Sequence, residues 1–124
     1  MYPPIFPTIA ASSAVKALIG SNPVRFYQFG QNDTQPSTYP YAVWQRIGGS
    51  PENYMGMAPD IDSFSVQIDV YATSANSARN VAAAIRDAIE QPQAAHITNW
   101  LGESRDPDTQ SYRFTMLTDW WTPR

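Results

Sequence analysis

The chain has no cysteine, a single histidine and, among eight basic residues, only one lysine, Lys16. Without thiols there can be no disulfide, thiolate nucleophile or Cys-ligated zinc, so the fold does not depend on oxidation. Cations are scarce and the formal net charge is −3. Both argue against a phosphate-binding surface, which clusters Lys and Arg to displace counterions. Nucleic acid and anionic membrane are therefore disfavoured as direct partners. No stretch approaches the roughly 18 apolar residues needed to cross a bilayer. Met1-Tyr2-Pro3-Pro4-Ile5-Phe6-Pro7 lacks the basic start and continuous apolar run of a signal peptide. The expectation is a protein made and used in cytosol.

What is present is apolar and aromatic. Hydrophobic residues make up 43% of the 124 residues and aromatics 13%, with four Trp and seven Tyr. A chain of this length buries about two thirds of the surface its unfolded form exposes, enough for one core without staples. No repeat, low-complexity tract or linker divides it, and a single domain over 1–124 suffices.

Thr8 can cap a helix running to about Ile19, with Ala11, Ala14, Val15 and Leu18 at helical spacing and Gly20 to end it. Val24 to Phe29 is rich in β-branched and aromatic residues and reads as a strand; Gly30 to Tyr39, including Asn32 and Asp33, is polar and turn-forming. A second strand, Tyr41 to Ile47, is entered through Pro40 and ends at Gly48-Gly49. Ser50 to Asp60 contains Pro51, Gly56 and Pro59, which predict a loop or flexible hairpin tip, yet it carries Tyr54, Met55 and Met57. Phe64, Val66, Ile68 and Val70 alternate with Ser65, Gln67, Asp69 and Tyr71, the period of a half-buried strand. Thr73 or Ser74 then caps a helix from Ala75 to about Glu90, with a small-residue stripe of Ala78, Val81, Ala82, Ile85 and Ile89. Pro92 ends it. Two weaker strands follow, near His96 to Gly102 and Ser111 to Trp121, joined by the turn-rich Arg105-Asp106-Pro107-Asp108-Thr109. This order predicts an α+β fold, a mainly antiparallel sheet of four to five strands with two helices packed on one face.

Catalytic chemistry is sparse. Any His-dependent mechanism must use His96, which sits beside Ile97 and Trp100 without an evident partner and reads as structural or solvent-facing. Gly-x-Ser-x-Gly and phosphate-cradling glycine loops are absent. Asp60-Ile61-Asp62 and Asp106-Pro107-Asp108 do not continue into the spaced oxygens of a calcium loop, and solvated turns explain them. Asp69 can pair with another strand's carboxylate such as Asp119, or with an arginine or water. Arg25-Phe26-Tyr27 and Arg113-Phe114 superficially match single-strand nucleic-acid sheets, but the surrounding charge is wrong. No catalytic residue, cofactor or metal ligand is assigned.

A monomer leaves some apolar surface unexplained, at Tyr54, Met55 and Met57 and at Trp120-Trp121. Consecutive strand residues point to opposite faces, so Trp120 and Trp121 cannot both enter one core layer. Either the N-terminal segment covers the second ring or another chain does.

Several features, in order, resemble the tail terminator (tail completion) proteins of long-tailed bacteriophages: the N-terminal helix ending in Leu18-Ile19-Gly20; Pro40-Tyr41-Ala42-Val43-Trp44-Gln45 leading into Gly48-Gly49-Ser50-Pro51-Glu52; Ser65-Val66-Gln67-Ile68-Asp69-Val70-Tyr71-Ala72; and the helix from Ser77 to Ile89. The resemblance covers about residues 8 to 90. It implies a non-enzymatic virion subunit, assembled in the host cytoplasm, that forms a homo-oligomeric ring, a hexamer, on the last layer of tail tube protein. Such a ring stops tube polymerisation and offers a docking face to the head-completion or connector complex, while DNA passes through its lumen without specific binding. The neighbouring expectation is a head-completion or neck connector protein; the remote one is a small enzyme using His96 or Asp69. Tyr54, Met55, Met57, Asn32, Asp33, Trp120 and Trp121 are the expected oligomer or partner contacts.

Overall fold

A computed structural model describes residues 5–20, 24–29, 39–54, 57–90, 95–105, 107 and 111–123, with the side chains of 49–54, 57–63, 95–96, 98–99 and 121–123 outside that description. The elements run α1 (Ile5–Ala10), α2 (Ser13–Ile19), β1 (Phe26–Gln28), β2 (Tyr41–Tyr54), β3 (Met57–Ala72), α3 (Ala75–Glu90), β4 (Ala95–Arg105) and β5 (Tyr112–Pro123). They form one five-stranded sheet in the order β1-β2-β3-β5-β4. All neighbours are antiparallel except β1 and β2, which are parallel over Phe26 to Gln28. The α+β class is as the sequence predicts; the parallel edge pair makes the sheet mixed.

The N-terminal helical stretch is two short helices instead of one from Thr8 to Ile19. Ser12 breaks it: its backbone is extended (φ −85°, ψ 120°) and its hydroxyl accepts from Val15 N–H at 3.2 Å. A serine that caps one helix leaves the preceding one. Gly20, at φ 90°, closes α2 and donates its N–H to Lys16 O. The second capping expectation resolves to Ser74, whose Oγ accepts from Ser77 N–H at 3.1 Å.

Ser50 to Asp60 is mostly strand, not loop. Pairing continues through Ser50↔Ser63, Pro51↔Asp62, Glu52↔Ile61 and Tyr54↔Met57, so β2 and β3 form one long hairpin. Among the described residues nothing pairs with the outer side of β2 beyond Trp44, so Pro51 sits on an open edge, where a missing N–H is tolerated.

The core lies between the sheet and the helices. The α3 stripe of Ala78, Val81, Ala82, Ile85 and Ile89 is buried, as are Ile5 and Ile9 of α1 and Val15 and Ile19 of α2. Opposite them the sheet contributes Trp44, Phe64, Val66, Ile68, Val70, Met116 and Trp120. β3 and β4 run parallel, joined by α3 with β5 inserted between them, so one helix packs against three strands. Arg25 ties this layer to the sheet edge: its Nε donates to Pro40 O at 2.9 Å and its Nη2 to Leu18 O at 3.4 Å, near the carbonyl end of α2.

Trp120 is wholly buried, and its Nε1 donates to Thr118 Oγ1 at 2.8 Å; that hydroxyl donates in turn to Val66 O at 3.0 Å. The relay satisfies an indole N–H inside an apolar core, where an unmade hydrogen bond costs about 1–3 kcal/mol. Thr118→Val preserves shape and removes the acceptor. It should lower unfolding free energy by about 1–3 kcal/mol in denaturant titration, and a neutral result would refute the relay.

Candidate assembly surface

The sheet face away from the helices is polar and aromatic. Register places Tyr41, Tyr71 and Arg113 in one row, Val43, Asp69 and Thr115 in the next, and Gln45, Gln67 and Leu117 in a third. Tyr41 stacks on Tyr71 with ring centroids 5.1 Å apart and an interplanar angle of 19°, and Tyr39 lies 5.3 Å from Tyr41. Tyr41 and Tyr71 are cross-strand neighbours, a pair worth up to about 1 kcal/mol.

Asp69 is the hub of this face and is 6% exposed. Its Oδ1 accepts from Thr115 Oγ1 at 2.6 Å and Arg113 Nε at 3.2 Å, with Arg113 Nη2 at 3.1 Å; its Oδ2 accepts from Gln67 Nε2 at 3.2 Å. A buried carboxylate is tolerated because both oxygens are occupied by donors, one of them charged. Asp69 and Asp119 are not an acid pair. Their register partners on β5 and β3, Thr115 and Ser65, set them four residues apart along β5, or about 13 Å. Asp119 instead accepts from Ser65 Oγ at 3.0 Å. His96 is the register partner of Asp119 on β4, its own side chain outside the described residues.

On the helix side, a cleft of about 270 Å³ opens between the first turn of α3 and the end of β4, floored by Ala75, Ala78 and Tyr112 and rimmed by Arg79, Glu103 and Arg105. Arg79 grips Glu103 bidentately, at 2.6 and 2.9 Å. Hydrogen bonding from Arg79 holds the Glu103 carboxyl below the usual range, and the same bond raises Arg79. Among the described residues no three His, Asp or Glu side chains gather as metal ligands would, and no helix is long and apolar enough to cross a membrane.

Of the residues expected at contacts, Trp120 is fully buried within the chain, so its ring fills the core and is not offered to a partner. The physical reason is its position two residues from Thr118 on the helix-facing side of β5. Trp121 is the register partner of Ser63, its side chain outside the described residues. Tyr54 and Met57 oppose each other at the end of the β2–β3 hairpin, and their side chains also lie outside the described residues. Met55, Asn32 and Asp33 lie outside the described residues altogether.

Sequence reasoning missed the exposed large apolar side chains that the structure does describe: Phe6 (46% exposed), Phe29 (69%), Ile47 (48%), Trp100 (45%) and Leu101 (49%). The available signal was a break in alternation, an apolar residue followed directly by glycine at Ile47-Gly48 and Leu101-Gly102. Gln67, Arg113 and Thr115 were likewise not connected to Asp69, because register across strands is not local information.

Comparison with known proteins gives a family and a fold. The family model described as Tail completion protein gp17 matches residues 3–123. A chain of the solved structure "Virion of native gene transfer agent (GTA) particle" is similar at a TM-score of 0.70 and 15% identity, over 97% of this chain and 92% of that one. No curated protein matches.

Two outcomes test the polar anchors. Asp69→Ala strands Arg113 and two neutral donors, and unfolding free energy should fall by about 3 kcal/mol, the low end for a broken buried pair because the Arg113 side chain is 41% exposed. A loss below about 1 kcal/mol in denaturant titration would refute the hub. For Glu103, a depressed pKa means the pair stabilises above the ordinary carboxylate range, and that stability is lost as pH falls through the depressed value. Glu103→Gln should therefore lower the melting temperature slightly at neutral pH, with the gap to wild type closing in acid. A gap constant down the acid limb would exclude the linkage.

Proposed function

The chain belongs to the tail completion protein gp17 family and is a structural protein of the virion tail; from that premise we propose that it forms a ring of identical subunits on the last layer of tail tube protein. The ring stops tube growth and presents its other side to the head-completion complex. Family membership across nearly the whole chain carries the reading. The similar chain in a gene transfer agent virion supports it as a fold used in particle assembly.

Physical features agree. A ring needs heterologous contacts, in which each subunit offers two different patches to its neighbours, and a cap needs a further surface along the axis. The β2–β3 hairpin carries Tyr54 and Met57 at its end and suits the axial contact, with Met55 following in sequence. A net charge of −3 suits a lumen through which DNA passes without sticking. Asp69, the one buried acid among the described residues, is engaged by Arg113, Thr115 and Gln67.

The experiment is capping. Purified protein mixed with uncapped tail tubes should appear by electron microscopy as a ring at one end and should block further tube growth. Binding to the portal side alone would move the protein to the neck, and a strict monomer that ignores tubes would refute the ring. Met55→Asp with Met57→Asp should leave the monomer folded and weaken capping at least tenfold, because the desolvated centre of an interface tolerates charge poorly. Undiminished capping by that variant would remove the hairpin end from the contact.

A further inference from the structure

Of the five large apolar side chains exposed among the described residues, Phe6 lies on α1 and the other four gather at the two edges of the sheet. Phe29 follows β1 at one edge of the sheet, with its N–H donating to Trp44 O, and Ile47 lies a short way along β2 on the same side. Trp100 and Leu101 belong to β4, the strand at the other edge, about 19 Å away across four inter-strand spacings. Trp100 meets Phe114 edge-on at 5.4 Å and leaves nearly half its surface in solvent.

The two edges are built alike. Pairing of β2 with β3 shifts between Arg46 and Gly48, and pairing of β4 with β5 shifts between Trp100 and Gly102. Ile47 and Leu101 are thus the extra residues of two bulges, each followed by glycine, and Gly102 adopts φ +119°, which an L side chain rarely takes. Bulges re-aim a side chain and twist an edge out of line for plain strand addition. Two apolar residues are thereby held outward, at 48% and 49% exposure, where a core-directed strand would have paired them.

We propose that these edges meet between neighbouring copies of the chain, Trp100 and Leu101 of one copy covering Phe29 and Ile47 of the next. The inference rests on the ring reading and names the surfaces that close it. At about half exposure the four side chains present on the order of 100 Å² each, taking roughly 150–250 Å² for a fully buried aromatic. Joined, they bury about 400 Å² of apolar area, close to half the non-polar share of a standard interface of about 1,600 Å². One partner of another kind seated on either edge leaves the opposite edge wet. A head-to-tail array of identical copies covers both edges in every subunit, and the contact runs through side chains because the bulges interrupt the β4 edge.

The absence of cysteine in the native chain makes the test clean. Phe29→Cys and Leu101→Cys are made singly and together, and tube-bound protein is treated with a short bis-maleimide and run under denaturing conditions. The double variant should give a ladder extending past dimer to a closed oligomer, a mixture of the two single variants should stop at dimer, and each single variant alone should stay monomeric. Caps that form normally while the double variant stays monomeric would overturn the proposed contact and leave the ring reading standing, and so would dimers of either single variant alone. Absence of caps in the wild type would overturn both. As a second arm, Trp100→Lys with Leu101→Lys should reduce capping at least tenfold with the melting temperature within a few degrees of wild type; unchanged capping would overturn the contact.

Discussion

Strand β3 is packed from both sides, and the rest of the molecule is arranged around that constraint. On one face Phe64, Val66, Ile68, Val70 and Ala72 are removed from water by the helices, the main favourable term in the folding of a domain this small. On the other, Asp69 is equally buried, which is tolerable only because Arg113, Thr115 and Gln67 saturate it. A one-residue slip of β3 against β5 would expose the aliphatic row and drive the carboxylate into the helices. The two faces therefore enforce the same register through opposite chemistry.

That register also decides which apolar groups remain outside. With β3 central and β5 beside it, the sheet closes on itself nowhere and ends in β1 and β4. Open edges invite indiscriminate pairing, and the chain limits it with a three-residue β1 and two bulges in β4. The bulged residues Ile47 of β2 and Leu101 of β4 are apolar where polar ones would best protect a solitary domain. The proposed ring would resolve that tension, since its edges would be covered, but only by a surface of matching shape. The long β2–β3 hairpin adds a separate reach beyond these edges, so the proposed lateral and axial contacts would fall on different parts of one small fold.

Local pattern alone was sufficient for β3, α3 and the α+β class, because periods of two and of 3.6 are written in consecutive residues. The α3 stripe from Ala78 to Ile89 is the buried one residue for residue. Local pattern failed at Ser12, where one hydroxyl chose between continuing a helix and capping the next, and at Ser50 to Asp60, where turn-forming residues sit in an edge hairpin held by its partner strand. The pairing of Trp120 with the core was half legible: alternation required the two tryptophans to separate, without saying which one the helices would cover.

Composition and order determined the class of molecule, a cysteine-free, mildly acidic α+β fold, and its likeness to tail completion proteins. Only the tertiary structure decided that Asp69 joins Arg113 and Thr115, that Trp120 is inside, and that Ile47 and Leu101 stand out at opposite edges. These depend on cross-strand register and bulge position, which arise from pairing between residues distant in the chain, as Asp69 and Thr115 are, and no local propensity encodes them.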